Sequence, residues 1–437
     1  MSKLWSYRLI LLSVILVLFT FSVVSAQDEP VQISFWHAMS GSRGEVVQEM
    51  VDEFNAANPG VEVVAEFSGS YADTLTKALA AVRAGEPPHI VQVYEVGTRT
   101  MLDSGAIVPV GEVSGGAFDS AAFVAPIVNY YSAGGELQCM PFNSSTAMLY
   151  YNKDMFEAAG LDPEQPPTTF TEVYDMSRQI MDAGVAQGGI SFGWPAWILE
   201  QMYAKHDQML ANEDGGRAAL ATEVFLNNEF GVDVLTEWQR WAEDGVLIYG
   251  GREYSANDPF IAGEFAMLAQ STSSLAGIME DAPFEVGTAF LPRLEGYDGI
   301  GNNVIGGGCL WTMAGHDQAE YDAIWQFYSY LSETPQSIAW HKGTGYFPST
   351  TEAVEALEAE GWFEENPNFL TAFDQILAGE NTTAAQGVLL GDFVTVRDIV
   401  GAGIEEVVVN GVAPQEALDA ATEEINQLLQ DYKSLNE

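Results

Sequence analysis

The alternation of two hydrophobic periods near the start of the chain most constrains its fold. Three segments have the alternating or continuous apolar pattern of β-strands: 31–36, 61–67 and 90–94. Two segments between them have apolar residues at helical spacing: 47–54 and 71–82. A period of two residues predicts a strand, and a period of 3.6 predicts a helix. Because helices alternating with strands favour a largely parallel sheet covered by helices, the sequence predicts an α/β fold.

Residues that break helices separate these elements. Asn58-Pro59-Gly60 ends the first predicted helix, and Pro87-Pro88 ends the second. The glycines and serines within 39–44 predict a turn between the first strand and the first helix. Each predicted helix of this unit therefore has a defined end.

The chain is long enough for two domains, yet it contains no linker. Its 437 residues allow two globular domains with sizeable cores. Hydrophobic residues make up 47% of the chain, which excludes a disordered polymer. No internal repeat and no low-complexity block occurs. This combination suggests domains that are each formed by more than one crossing of the chain.

The N-terminus has the three parts of a secretory signal peptide. Lys3 and Arg8 form a short basic region, an apolar run covers 9–24, and Val24-Ser25-Ala26 is a small-residue cleavage site. Residues 1–26 are therefore predicted to direct secretion, to the periplasm or the cell surface. An uncleaved membrane anchor is the alternative. No cysteine lies near the cleavage site, so a lipid-anchored start is not supported.

Acidic residues far outnumber basic ones. Asp and Glu total 62, Lys and Arg total 16, and the formal net charge is −46. A polyanion of this kind repels nucleic acids and anionic membranes, so neither is an expected partner. An anionic ligand would need a local positive charge, which salt screens only beyond roughly 8 Å. Arg397 is a candidate for that charge, and a surface ion pair with Asp398 is the alternative.

The motifs of several enzyme classes are absent from the sequence. None of the five histidines lies in an H-E-x-x-H motif, and no G-x-x-x-x-G-K-[ST] loop occurs. The many acidic residues would allow a glycosidase pair anywhere, so that pattern has no specificity. Two cysteines, Cys139 and Cys309, are too few for a structural zinc site. The sequence therefore predicts a protein without catalytic residues, cofactor or metal.

Two clusters have residues suited to binding a small molecule. Phe142-Asn143-Ser144-Ser145-Thr146 places three hydroxyls and an amide beside an aromatic ring, and such donors can hold a phosphate. Trp194 and Trp197 place two indoles close together, which suits stacking on a small ligand. The alternatives are structural: a turn or helix cap for the hydroxyl run, and a core position for the tryptophans.

Several stretches have a more specific likeness. They are, in chain order, Trp36-His37, QVYEVGT at 92–98, PFNSST at 141–146, YYNKD at 150–154, AGLDPEQPP at 159–167, IGG at 305–307, Trp340-His341 and TGY at 344–346. In this order the chain resembles the periplasmic sn-glycerol-3-phosphate-binding proteins of Ugp-type ABC importers. They are a branch of extracellular solute-binding protein family 1, which also contains maltose-binding protein. The likeness covers essentially the whole mature chain.

The resemblance implies a two-lobed periplasmic-binding-protein fold, with a hinge and a ligand cleft between the lobes. The first lobe would comprise 27–142 and 310–348, and the second 143–306 and 352–437. The implied function is to capture sn-glycerol-3-phosphate, or a diester such as glycerophosphocholine. A monomer would deliver this ligand to the transmembrane permease subunits of an importer with a cytoplasmic ATPase. A neutral sugar or oligosaccharide is the alternative ligand, and a secreted glycerophosphodiester hydrolase is the alternative of a different class.

The resemblance also implies a set of ligand-binding residues: Tyr71, Glu95, Ser145, Trp194, Trp197, Ser271, Gly307, Tyr346 and Arg397. Serine and tyrosine hydroxyls, the backbone N–H of Gly307 and the Arg397 guanidinium would serve mostly the phosphate. Glu95 would accept hydrogen bonds from glycerol hydroxyls. Trp194 and Trp197 would flank the glycerol end, where indole faces could also attract a choline cation.

Cys139 and Cys309 are not part of the resembled pattern. Both lie close to segments that resemble the strands crossing the hinge side by side. A disulfide between them is therefore a hypothesis for an oxidising compartment. Two separate buried thiols are the alternative.

Overall fold

The computed structural model describes residues 29–436. The predicted signal peptide, residues 1–26, lies outside this part of the chain. Among the described residues, no helix combines the length and the apolar composition that a bilayer crossing requires. The fold can be followed from the first strand of the α/β unit to a long C-terminal helix.

The described residues contain twelve strands in three sheets. In chain order they are β1 (Val31–His37), β2 (Val61–Phe67), β3 (Ile90–Tyr94), β4 (Ile107–Val108), β5 (Ser132–Ala133), β6 (Glu136–Leu137), β7 (Met140–Ser145), β8 (Ala147–Asn152), β9 (Gly188–Phe192), β10 (Phe265–Ser271), β11 (Val286–Ala289) and β12 (Gly306–Met313).

Two larger sheets organise the molecule. The first has the order β2-β1-β3-β12-β4, with β7 paired to β12. Its β1 pairs in parallel with β2 and β3, as the N-terminal alternation predicts, while β12 runs antiparallel to its neighbours. The second sheet has the order β11-β8-β10-β9, and only β9 and β10 are parallel. The chain is therefore an α/β protein with two mixed sheets, in which parallel pairing joins β1 to β2 and β3 and β9 to β10.

Helices cover both sheets. They are α1 (Gly41–Ala57), α2 (Tyr71–Ala84), α3 (Thr98–Asp103), α4 (Val110–Val113), α5 (Ala125–Tyr131), α6 (Lys153–Ala158), α7 (Phe170–Asp182), α8 (Pro195–Lys205), α9 (Asn212–Gly216), α10 (Glu229–Glu243), α11 (Asn257–Ile261), α12 (Leu275–Asp281), α13 (Gln318–Leu331), α14 (Thr334–Thr344), α15 (Thr351–Ala359), α16 (Trp362–Glu365), α17 (Pro367–Ala378), α18 (Phe393–Val408) and α19 (Pro414–Asn436). α13 packs on β1 and α14 on α1, whereas α18 packs on α8, α10 and α19.

A capping box fixes the start of the second helix, whereas the residue before the first helix has only the backbone conformation of an N-cap. The Ser70 side chain accepts from the backbone N–H of Asp73, and the Asp73 side chain accepts from that of Ser70, so a capping box starts α2 at Tyr71. Ser40 has the extended backbone of an N-cap residue, and α1 begins directly after it at Gly41. Residues 41–44 are therefore the first turn of a helix, which differs from the separate turn expected at 39–44.

The chain crosses between the two sheets at adjacent strands. β7 ends at Ser145 and β8 begins at Ala147, so only Thr146 separates the sheets there. β12 returns the chain to the first sheet and pairs with β7. Residues 143–145 and 306–309 therefore belong to the first sheet, a few positions beyond the lobe boundaries that the resemblance implies.

The two cysteines lie beside this crossing. Cys139 directly precedes β7, and Cys309 lies within β12. They form a disulfide, with their Cα atoms 5.9 Å apart. Both side chains are buried, so the bond ties the paired strands inside the protein.

Candidate functional site

One pocket is lined by residues that both sheets and their helices supply. It contains all of the residues that the family resemblance implies: Tyr71, Glu95, Ser145, Trp194, Trp197, Ser271, Gly307, Tyr346 and Arg397. Tyr94, Tyr254 and Gly306 complete its lining. It adjoins a wider cleft of about 1730 Å³, with which it shares six residues. The structure thus brings the predicted residues to one place.

Strand ends and helices deliver these side chains. Glu95 directly follows β3, Ser145 is the last residue of β7, and Ser271 is the last residue of β10. In α/β folds, residues just beyond strand ends gather at the crevice where ligands bind. Tyr71 opens α2, and Arg397 lies in the first half of α18. Helix and strand boundaries therefore account for the convergence.

Two adjacent glycines let backbone and ring approach closely at the start of β12. Gly307 has a φ of +85°, and a Cβ there would lie 1.8 Å from the carbonyl oxygen of Asn143. At Gly306 a Cβ would lie 2.5 Å from an atom of the Trp197 ring. A side chain at either position would clash with these atoms, so only glycine fits. The backbone of β12 itself therefore lines the pocket.

Arg397 lies between two carboxylates. Its Nε and Nη2 donate to the two oxygens of Glu200, each at 2.7 Å, and its Nη1 lies 2.7 Å from Oε1 of Glu95. The Arg397 side chain is only 11% exposed and that of Glu95 only 6%. Burial raises the pKa of Glu95, and Arg397 opposes that rise. The guanidinium is therefore engaged by two buried acids, not by Asp398.

This arrangement changes the role expected of Arg397. In this triad of Arg397, Glu95 and Glu200, the guanidinium is already held by two carboxyl groups of the protein before any ligand binds. The carboxylate oxygens of the triad can instead accept hydrogen bonds from ligand hydroxyls. Glu200 was not among the predicted residues. Its position three residues after Trp197, on the same face of α8, is the signal that could have indicated it.

Tyrosine hydroxyls form a second group in the pocket. The Tyr71 and Tyr346 hydroxyl oxygens lie 3.1 Å apart, and Asn143 Nδ2 donates to Tyr71 Oη at 2.7 Å. Burial, with Tyr346 next, raises the pKa of Tyr71 well above its ordinary value. Burial, again with Tyr346 next, raises the pKa of Tyr254 to about 12. Tyr71 and Tyr254 therefore keep their protons at neutral pH and remain available as donors.

The two tryptophans occupy different environments. Trp194 has a left-handed backbone with φ 55° at the start of α8, and its ring meets that of Tyr254 edge to face at 5.4 Å. Trp197 is buried to 4% exposure, and its Nε1 has no hydrogen-bond partner among the described residues. Both rings still line the pocket. Trp197 is therefore a core residue and part of the pocket lining at the same time.

One nucleophile-like motif occurs away from the pocket. Gly189-Ile190-Ser191-Phe192-Gly193 has G-x-S-x-G spacing. A nucleophile elbow holds its serine on a turn after a strand, whereas Ser191 lies within β9 and is fully buried. Its Oγ has no hydrogen-bond partner in residues 29–436, which contain all five histidines, so no histidine activates it. The motif therefore does not indicate a hydrolase.

One cluster has the composition of a metal site. His89, His316 and Glu320 place one potential ligand atom each within 4.8 Å of one another. However, His89 Nδ1 accepts from the backbone N–H of Ser34, so its Nε2 carries the proton. His316 Nε2 is bonded to the carbonyl oxygen of Pro88. With one His89 nitrogen accepting and the other protonated, this cluster does not fit a cation.

Comparisons with known proteins identify the family of this chain. The sequence profile of the family described as bacterial extracellular solute-binding protein matches residues 49–371. The sn-glycerol-3-phosphate-binding periplasmic protein UgpB of Pectobacterium atrosepticum is 38% identical, over 94% of this chain and 95% of that protein. Its namesake from Escherichia coli K12 is 37% identical, over 92% and 93%.

A solved structure agrees with the two-lobed fold. UgpB from Mycobacterium tuberculosis, in complex with glycerophosphocholine, superposes with a TM-score of 0.78. The two proteins share 20% identity, and the match covers 92% of this chain and 98% of the other. At this level of identity, the likeness supports the fold and no further property. Taken with the profile and the relatives, it leads to one conclusion: the chain belongs to the bacterial extracellular solute-binding proteins, which bind solutes for import and are not enzymes.

Proposed function

We propose that this protein captures sn-glycerol-3-phosphate and delivers it to an ABC importer. One observation carries the proposal: a single pocket joins hydroxyl donors, a buried arginine–glutamate triad and two indoles, in a chain 37–38% identical to proteins named for this ligand. Phosphate needs several donors, and glycerol needs donors and acceptors together. The pocket offers both kinds of group.

The proposed binding mode uses the two polar groups differently. The hydroxyls of Tyr71, Ser271 and Tyr346 donate to phosphate oxygens, together with Ser145 and the backbone of Gly307. Glu95 accepts from the glycerol hydroxyls. The Glu95 carboxylate also repels a second phosphate or sulfate placed beside it, which favours a ligand with a single anionic group.

A glycerophosphodiester is the proposed second ligand. Trp194 and Trp197 line both the pocket and the wider cleft, so a head group could extend from one into the other past indole rings. Aromatic faces attract quaternary ammonium groups. The fold neighbour from Mycobacterium tuberculosis was solved with glycerophosphocholine, which supports including this ligand.

The proposal extends to the assembly and location of the protein. The lobes would be 27–142 with 310–348 and 143–306 with 352–437, adjusted by the few residues of β7 and β12 described above. Binding of the ligand would close the two lobes about a hinge where the chain crosses between the sheets. The closed monomer would then dock on transmembrane permease subunits served by a cytoplasmic ATPase. Cleavage after Ala26 would release the chain outside the cytoplasm, in the periplasm or at the cell surface.

Titration calorimetry tests the proposal. Purified protein is titrated with sn-glycerol-3-phosphate, glycerophosphocholine, inorganic phosphate and maltose. We expect saturable binding of the first, weaker or comparable binding of the second, and none of maltose. A phosphodiesterase assay with glycerophosphocholine should show no turnover. Binding of maltose alone would replace the proposal with a sugar-binding function.

A further inference from the structure

A third arginine reaches the wider cleft from the first lobe. Arg43 lies in the first turn of α1 and lines the cleft beside Tyr71 and Tyr254. Its Nη1 donates to the Tyr254 hydroxyl at 3.2 Å and to Ser273 Oγ at 3.4 Å. Both partners belong to the second lobe. Neither motif nor resemblance predicts a role for this residue.

Arg43 differs in charge balance from the other arginines of the cleft. Arg397 is engaged by Glu95 and Glu200. Arg252 pairs with Glu405 at 2.8 Å and with Asp398 at 3.5 Å. Among the described residues, Arg43 has hydrogen bonds only to hydroxyls, and no carboxylate lies within ion-pair distance of it. Within the part of the chain that the structure describes, it is thus the one cleft arginine whose positive charge no carboxylate contact offsets.

Hydroxyl groups lie close to this charge. Ser273 Oγ, which accepts from Arg43, lies 3.0 Å from Ser271 Oγ, and Tyr71, whose hydroxyl lies 3.1 Å from that of Tyr346, lines the same cleft. The Cζ of Arg43 also lies 4.8 Å from the centre of the Tyr254 ring. A guanidinium fork with neutral hydroxyl donors around it is the combination that recognises phosphate in proteins.

We infer that Arg43 is the residue that recognises the anionic group of the ligand and thereby sets ligand polarity in the cleft. The phosphate faces Arg43 and the adjoining hydroxyls, while the ligand hydroxyls face Glu95 and the Arg397–Glu200 pair. This inference rests on the proposed function and refines it. It assigns anion selectivity to a charge that is free to act, and leaves Arg397 to position Glu95.

A variant series tests the inference. Calorimetry with sn-glycerol-3-phosphate is performed on wild type, Arg43→Gln and Arg43→Lys. Arg83→Gln is the matched control, because Arg83 is an exposed arginine of α2 in the same lobe and its loss changes the net charge equally. We expect Arg43→Gln to weaken binding at least 30-fold, equivalent to about 2 kcal/mol. Arg43→Lys should stay within about tenfold of wild type, and Arg83→Gln should match it.

Salt dependence separates anion recognition from a purely structural contact between the lobes. If the charge of Arg43 attracts the phosphate, the difference in affinity between wild type and Arg43→Gln should shrink as NaCl rises from about 20 mM to about 500 mM. A difference that stays constant would mean that Arg43 acts only through its hydrogen bonds to Tyr254 and Ser273, and would overturn the inference.

The outcomes distinguish this inference from the proposed function. Wild-type binding that Arg43→Gln leaves unchanged would overturn the inference alone. A loss of the same size in Arg83→Gln would also overturn it, since a general change in net charge would then suffice. A wild-type protein that binds neither sn-glycerol-3-phosphate nor glycerophosphocholine would overturn the proposed function, and the inference with it.

Discussion

Arg397 provides the counter-charge for two buried carboxylates, Glu95 and Glu200. We expect Arg397→Ala to weaken sn-glycerol-3-phosphate binding by about 2–4 kcal/mol, because both acids then face an anionic ligand without compensation. The same change should lower the free energy of unfolding by about 3–5 kcal/mol, the usual effect of removing one partner of a buried ion pair. Calorimetry and urea unfolding measure the two effects. Unchanged affinity would show that the triad is electrostatically remote from the ligand.

Glu200→Gln is the complementary variant. It removes one negative charge and keeps a side chain that can still bond to Arg397. At an effective dielectric constant of about 20, a unit charge several ångströms away is worth roughly 1–2 kcal/mol, so affinity for the anion should rise about tenfold. A fall in affinity would instead mean that Glu200 orients Arg397 for a direct contact with the ligand.

Lys205 is a buried lysine that has no carboxylate partner among residues 29–436. It is 6% exposed, its Nζ donates to the carbonyl oxygen of Leu291, and burial, with Arg293 next, lowers its pKa from the ordinary 10.5 to about 7. Between these two pKa values the unfolded chain binds more protons than the folded one. The free energy of unfolding should therefore rise with pH from about 7 to about 10.5, and charged Lys205 should destabilise the fold at lower pH.

Lys205→Met isolates this contribution. The variant should be more stable than wild type by roughly 3–5 kcal/mol near pH 6, and the advantage should disappear as pH approaches 10.5. Urea unfolding at several pH values measures it. Because other titrating groups are common to both proteins, only the difference between them is interpreted. A difference that does not vary with pH would contradict a lowered pKa for Lys205.

At the scale of elements, β7 and β12 form the most constrained part of the molecule. They pair beside the crossings, Gly307 lies in β12, and the disulfide joins Cys139 to Cys309 across a separation of 170 residues. A cross-link that closes so long a loop restricts the unfolded chain strongly. The elements that shape the pocket are thus covalently tied where the lobes meet.

The disulfide predicts a measurable loss of stability on reduction. The free energy of unfolding of the reduced protein, or of the Cys139→Ala/Cys309→Ala variant, should be about 2–5 kcal/mol lower than that of the oxidised wild type. Maleimide labelling of denatured, non-reduced protein should find both thiols blocked. Two labelled thiols would contradict the bond, and the double variant would then be expected to unfold like wild type.

At the scale of the whole molecule, the net charge of −46 opposes the approach of an anionic ligand. Association of sn-glycerol-3-phosphate should therefore become severalfold faster as ionic strength rises from about 20 mM to about 150 mM, because salt screens this repulsion. Stopped-flow fluorescence can follow it, since Trp194 and Trp197 line the pocket. Glycerophosphocholine, which has no net charge, is the control. Slower association at higher salt would mean that the positive charge of Arg43 outweighs the net negative charge of the protein in the electrostatic potential at the cleft entrance.

Much of this molecule follows from local sequence. Period-two and period-3.6 patterns predict β1, β2, β3 and the helices between them, because side-chain direction in these elements depends only on neighbouring residues. The ligand-binding residues that the family resemblance implies line one pocket of the structure. The mixed second sheet could not be predicted, because strand order depends on packing between distant segments.

The sequence by itself determined the α/β class and the polar and aromatic residues suited to a binding site. Only the tertiary structure decided which charges are free to act. Arg397 meets Glu200 across 197 positions, and Arg43 meets Tyr254 across 211. A charge acts on whatever lies within a few ångströms, and no local pattern reveals such neighbours. Arg397, which the sequence made the candidate for anion binding, is held by two acids. Arg43, which no motif indicated, lines the cleft with hydrogen bonds to hydroxyls.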